Sequence, residues 1–330
     1  MIARITRLLL ALQLLVACGA VLSALKLWHA DPASAALLGI ALVLALRLLV
    51  TANNFSLAWR YRSETPGAFR LGPRQACALF FGEYKATMLA SSWTMPFRAF
   101  ARKTAPAPAT LPVLLIHGYG CNSGYWQPMS KALTHAGISH YAIDMEPVAC
   151  GIDEYVPLIE AAIDRMFRET GQRRVVIVAH SMGGLAARAY LRVHGAERIA
   201  RIITLGTPHH GTALARFGIG LNTAQMRWIA GGQEGRCSEW LRELAARENQ
   251  AVRRLFVSLY SHHDNIIAPQ TSSRLPGAKN IAFRGIGHVA LASHPAVQAQ
   301  VVREIVESGT VSTAIPTSGS GDTGSRKSRQ

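Results

Sequence analysis

Three side chains far apart in the chain have the types that nucleophilic acyl chemistry needs. In RRVVIVAHSMGG, Arg173 to Gly184, a β-branched run leads into Ser181 and two glycines; SLYSHHDNIIAPQTS holds Asp264, and GIGHVALASHP holds His288. A serine that attacks an acyl group requires a base to take its proton, an acid to orient that base, and N–H donors for the developing oxyanion. Ser181 is the candidate nucleophile, His288 the base and Asp264 the orienting acid. Asp144 and Asp153 compete for the last role, but only Asp264 lies between nucleophile and base, and His294 is a weaker base candidate because Pro295 follows it at a helix start. The ordinary alternative for Ser181 is a helix N-cap. Small neighbours argue against it: a tight strand-to-helix turn excludes side chains two positions either side of the serine, Gly183 meets that demand, and Ala179 is the smallest departure from glycine at the other position.

The segment His117-Gly118-Tyr119-Gly120 follows the run PVLLI. Its glycines let the backbone turn so that the Tyr119 N–H faces the site, and the Met182 N–H, at a helix start, is the second expected oxyanion donor. His117, Gly118 and His210 are expected to line the substrate, with His117 a structural histidine rather than the base. The pairs His209-His210 and His262-His263 do not suggest a metal, because adjacent side chains on an extended chain point oppositely and no Glu-x-x-His or Cys partner accompanies them. No metal and no cofactor are expected.

These residues need a scaffold. PVLLIHG, SHYAIDM, RRVVIVAH, IARIITLGTP, RRLFVSLYS and KNIAFRGIG read as strands, separated by helical stretches such as DEYVPLIEAAIDRMFRETG and MGGLAARAYLRVHG. Alternation of this kind predicts an α/β domain with a mostly parallel sheet and helices on both faces, over residues 111–308. Residues 213–248 break the rhythm and are expected to form a small cap over the strand ends. Residues 309–330, rich in Ser, Thr and Gly, are expected to be a disordered tail.

The N-terminal part differs. Two apolar segments, about 8–25 and 33–50, are long enough to cross a bilayer, and a short turn joins them. A transmembrane hairpin over residues 1–52 is the simplest reading, with Arg47 snorkelling. Residues 53–110 then form a juxtamembrane amphipathic helix, in FFGEYKATMLASSWTMPFRAF, and a Pro/Ala linker, TAPAPAT. Arg4 and Arg7 precede the hairpin and Arg60, Arg62, Arg70 and Arg74 follow it, against Lys26 in the turn, which places both ends and the large domain in the cytoplasm of a bacterial-type inner membrane. The alternatives are secretion or a lipoprotein anchored at Cys18, after Leu15-Val16-Ala17. Five scattered cysteines, Cys18, Cys77, Cys121, Cys150 and Cys237, offer no disulfide framework. The net charge of +16 is spread along the chain without a nucleic-acid-binding module, so anionic lipid head groups are the expected partner and nucleic acid is not.

With these residues placed, IHGYG, VAHSMGG, TLGTPHHGT, HDNIIAPQTS and GIGHVALASHP together resemble the α/β-hydrolase superfamily, specifically its lipase and esterase branch. AHSMGG resembles the variant nucleophile elbow of some bacterial lipases. The resemblance covers roughly residues 111–308. It implies an α/β-hydrolase fold, Ser181, Asp264 and His288 as a catalytic triad, and hydrolysis of an acyl ester or lipid. The calcium ion that braces the loop near the catalytic histidine in some secreted relatives is not expected here. Acyl transfer by the same triad, or a non-catalytic membrane-bound scaffold on this fold, remain as alternatives.

Overall fold

The computed structural model describes residues 1–106, 108, 110–229 and 236–310. Two long helices come first, α1 (Ile2–Leu27) and α2 (Pro32–Arg60), with the Asp31 carboxylate capping α2 by accepting from the Ala33 and Ser34 N–H groups. Both reach a mean hydropathy of 2.4, and only 6% and 17% of their apolar windows are buried. Buried core helices of soluble proteins reach such hydropathy under cover; these two do so while largely bare. Both are longer than the apolar segments. α2 in particular continues through Asn53 and Asn54 to Arg60.

Arg47 does not snorkel as expected. Its Nε donates to Gln13 Oε1 on α1 (2.7 Å), and its Nη1 reaches the hydroxyls of Ser91 (2.9 Å) and Ser92 (2.8 Å). Those serines belong to a π turn (Ala90–Thr94) that continues α3 (Pro73–Leu89) into the short α4 (Met95–Phe97). A guanidinium carries five donors in a fixed fork, and satisfying them inside the protein locks the hairpin to the segment that follows it.

Among the described residues, the large domain is built on nine strands and seven further helices: β1 (Arg102–Lys103), β2 (Val113–Ile116), α5 (Gln127–His135), β3 (His140–Ile143), α6 (Val156–Thr170), β4 (Val175–His180), α7 (Met182–His194), β5 (Ile199–Leu205), α8 (Leu221–Gln225), β6 (Trp228–Ile229), β7 (Arg236–Cys237), α9 (Glu239–Ala246), α10 (Gln250–Arg253), β8 (Phe256–Ser261), β9 (Lys279–Phe283) and α11 (Pro295–Thr310). Seven strands form one sheet in the order β1-β3-β2-β4-β5-β8-β9. All its pairings are parallel except β1 with β3. β1 is a two-residue edge strand just ahead of the segment read as a linker; residues 107 and 109 of that linker, and most of the expected tail, lie outside the described residues.

Period-two alternation sends β2 and β4 side chains to both faces. Leu114, Ile116, Val175 and Ile177 meet the α6 and α7 residues Ile159, Ile163 and Leu185, while Val113, Leu115, Val176 and Val178 meet Met129, Leu133, Val297 and Val301 of α5 and α11. Each such fully buried aliphatic side chain contributes about 1.5–3 kcal/mol. Segments covered on both faces read as continuous apolar runs.

One buried charge fixes α7 to the region beyond β5. Arg188, 1% exposed, donates from Nε and Nη2 to the two carboxylate oxygens of Glu248 (2.6 and 2.8 Å) and from Nη1 to the His209 carbonyl (3.0 Å). Arg188→Met leaves the buried Glu248 carboxylate only the longer pair to Arg253 Nε (3.4 Å), so it is expected to cost about 3 kcal/mol; chemical denaturation of both proteins checks this.

Candidate functional site

β4 ends at His180, and α7 starts at Met182. Ser181 makes the turn between them at φ 54°, ψ −126°, in the left-handed half of backbone space where a residue with a Cβ is strained. The turn is held from both sides. The Ser181 N–H donates to the Leu205 carbonyl at the end of β5 (2.9 Å), and its carbonyl accepts from the Thr207 hydroxyl (2.9 Å). Although Ser181 occupies the N-cap position, its side chain makes no capping bond. Its hydroxyl is thus left for the cavity it borders.

The need for small neighbours is visible. A Cβ on Gly183 would lie 2.4 Å from the Ile116 carbonyl oxygen, and one on Gly118 would lie 2.8 Å from the Ser181 Cβ. Ala179 meets no such limit: its methyl is buried in the apolar layer with Ile116 and Met182. Alanine at the head of the motif is therefore accommodated.

Asp264 follows β8 and His288 follows β9, adjacent strands in the sheet. The Asp264 Oδ2 lies 2.8 Å from His288 Nδ1, while its Oδ1 accepts from the Ile266 and Ile267 N–H groups at 2.8 Å each. With Asp264 as acceptor, the proton sits on Nδ1 and Nε2 is the basic nitrogen. Burial opposes the imidazolium, but the Asp264 carboxylate, its hydrogen bond and Glu83 outweigh that, and the His288 pKa lies above its ordinary value. The His288 N–H donates to Asn265 Oδ1 (2.9 Å). Beneath it the His180 ring lies 4.5 Å away, its Nε2 3.2 Å from the His288 carbonyl; burial and the neighbouring His288 keep His180 neutral. Among the described residues no hydrogen bond joins the Ser181 hydroxyl to the His288 ring, a bond that commonly tightens only with substrate present.

Ser181 opens onto a cavity of about 450 Å³, bordered also by Tyr119, Leu214, Phe217, Met226 and Ile267. The Met182 N–H, at the first position of α7, has no partner within the helix. Tyr119 closes the loop from the other side: its hydroxyl donates to the Ile219 carbonyl (2.8 Å) and accepts from the Ile219 N–H (3.1 Å), tying the HGYG loop to the segment between β5 and α8. Two residues expected to line the substrate are placed elsewhere. His117 is 1% exposed, with Nδ1 at the Gly118 carbonyl (2.8 Å) and Nε2 accepting from the Met145 N–H (3.0 Å), so its ring braces the loop. His210 turns its Nε2 to the Arg274 carbonyl (3.1 Å) and does not border the Ser181 cavity.

One residue escaped the sequence reading. Glu83 of α3 is 1% exposed, and its two oxygens accept from the Val289 and Ala290 N–H groups at 2.9 Å each, capping the 3₁₀ turn that begins at His288. Burial raises its pKa, against those N–H groups and His288, which favour the charge. Its signal, a lone carboxylate in an amphipathic helix, is shared with any solvated glutamate. Because the Glu83 charge helps hold a proton on His288, Glu83→Gln is expected to lower the His288 pKa and move the acid limb of any His288-dependent rate to lower pH. Glu83→Ala leaves two buried N–H groups bare and is expected to cost about 2–4 kcal/mol. A pH–rate profile and thermal denaturation check the pair.

A family profile described as alpha/beta hydrolase fold matches residues 112–232, which hold β2 to β6 and Ser181. The chain has the α/β-hydrolase fold. Within that fold it is similar to lipases: 27% identical over 119 residues to a triacylglycerol lipase of Pseudarthrobacter phenanthrenivorans, covering 34% of this chain and 37% of that one. A Pseudomonas fragi triacylglycerol lipase is 31% identical over 119 residues, covering 32% and 36%. The chain thus spans little more than a third of the length of these curated relatives. Among solved structures, the mature Bacillus licheniformis lipase BlEst2 superposes with a TM-score of 0.54 at 18% identity, over 63% of this chain and 97% of that one. Aspergillus fumigatus lipase B gives 0.52 at 17%, over 63% and 56%. In this hydrolase fold, Ser181, Asp264 and His288 all follow the carboxyl ends of sheet strands, where open α/β sheets bind ligands.

Proposed function

We propose that the protein is a membrane-anchored serine hydrolase of carboxylic esters, with α1 and α2 as the anchor. The observation that carries this is a strained, uncapped serine at the strand-to-helix turn, bordering an apolar cavity, in a fold whose Asp264–His288 pair leaves Nε2 basic. The lipase relatives support an ester substrate. In the proposed mechanism Ser181 Oγ attacks the acyl carbonyl as its proton passes to His288 Nε2. The Tyr119 and Met182 N–H groups hold the oxyanion, and His288 returns the proton to the departing alcohol. Water then attacks the acyl-enzyme by the same route and frees the acid. Asp264 stays ionised throughout and stabilises the imidazolium.

The test is labelling of the detergent-solubilised full chain with a fluorophosphonate, followed by peptide mass spectrometry, alongside hydrolysis of p-nitrophenyl acetate. Phosphonylation at Ser181 is expected; absence of label, or label on another residue, overturns the proposal. The arginines flanking the hairpin support a cytoplasmic domain. Reporter fusions after Val50 and after Gly309 are both expected to read cytoplasmic, and periplasmic activity from both would reverse the assignment.

A further inference from the structure

Resting on that reading, we infer that the substrate is a long-chain acyl ester resident in the bilayer, and that its chain enters the Ser181 cavity along the end of α2. A helix of 29 residues is about 43 Å long, and a bilayer's hydrocarbon takes up about 30 Å. The remainder, beginning where the apolar run gives way to Asn53 and Asn54, stands on the side of the large domain. That end of α2 is more than a connector. Asn53, Asn54 and Leu57 border the same cavity as Ser181, so the membrane helix supplies one wall of the site.

The opposite lip is apolar and bare. Phe217 and Ile219 of the cap are 58% and 79% exposed, and the neighbouring Arg216 donates to the Tyr61 hydroxyl (2.9 Å) just past α2, which pins the cap to the helix. Trp59, 68% exposed, lies under the Arg62 guanidinium (3.3 Å), an aromatic-cation pair of the kind that sits at lipid head groups. The depth is fixed, since Arg47 ties the hairpin to the segment after α3. An acyl chain passing from the leaflet to Ser181 meets Leu57, Leu214 and Phe217 at the cavity, whereas a route through water exposes every methylene.

The test compares hydrolysis of p-nitrophenyl palmitate, incorporated in phosphatidylcholine vesicles carrying the full-length protein, with that of soluble p-nitrophenyl acetate. Leu57→Trp, which fills the α2 side of the cavity, is expected to lower the palmitate-to-acetate ratio at least tenfold. A ratio within twofold of wild type overturns the inference, as does a wild-type protein that cleaves acetate but not vesicle-borne palmitate. Cleavage of neither, with no fluorophosphonate label, instead overturns the hydrolase reading beneath it. A second measurement needs no substitution: a hexadecyl fluorophosphonate with a mid-chain diazirine, bound at Ser181 and photolysed in vesicles, is expected to cross-link the tryptic peptide of residues 48–60. Cross-links that avoid that peptide overturn the inference.

Discussion

Ser181→Ala is expected to lower ester turnover by about 10⁴-fold or more and to abolish fluorophosphonate labelling, with thermal stability unchanged. The stability half separates a nucleophile from a helix cap. A capping serine replaced by alanine costs about 1 kcal/mol, but the Ser181 side chain makes no capping bond and alanine keeps the Cβ that causes the strain. Ser181→Gly sharpens the contrast. A residue with a Cβ at φ 54°, ψ −126° is strained by about 1–3 kcal/mol. Glycine removes that strain but loses about 0.5–1 kcal/mol through the entropy of the unfolded chain. The glycine variant is therefore expected to be inactive and more stable by about 1 kcal/mol, read as a higher midpoint in thermal denaturation. A glycine variant no more stable than wild type would show the turn to be unstrained.

Asp264→Asn is expected to reduce kcat by about 10⁴-fold with little loss of stability. The reason lies in what each oxygen holds. The Ile266 and Ile267 N–H groups require an acceptor at the Oδ1 position, so the asparagine keeps its carbonyl oxygen there and turns its NH₂ toward His288. Nδ1 must then accept, the proton moves to Nε2, and the nitrogen facing Ser181 is no longer a base. With the carboxylate gone, burial governs the imidazole and its pKa falls below the wild-type value. Wild-type activity needs neutral His288, so it declines as pH drops through a pKa that lies above the ordinary histidine value. In Asp264→Asn the residual activity is expected to hold to lower pH, and pH–rate profiles of the two proteins check both the magnitude and the direction.

The parts of this site that local chemistry dictates were legible in the sequence. A β-branched run ending in Ala-His-Ser-Met-Gly-Gly can turn sharply because of its small residues, and the parallel sheet follows from apolar runs alternating with helices. Asp264 and His288 stand out because they follow consecutive strands. Long-range burial was not legible. Glu83 reads as one more solvated glutamate until α3 packs against the His288 loop, and Leu57 as one more juxtamembrane leucine until it borders the Ser181 cavity. Nor does residue type reveal direction: His117 and His210 carry the right chemistry, but their rings are turned to backbone partners. Arg47 was misread because snorkelling assumes no internal acceptor, whereas Gln13, Ser91 and Ser92 provide several. β1, two residues long, is too short for any periodicity.

Helix α3 touches α2 on one side and, through Glu83, holds the turn after His288 on the other. The N-terminal helix pair is consequently not a leash. Cutting the chain after Arg60 would not release a finished soluble enzyme: it would remove a wall of the cavity beside Ser181 and bare the face of α3 whose other side steadies the His288 loop.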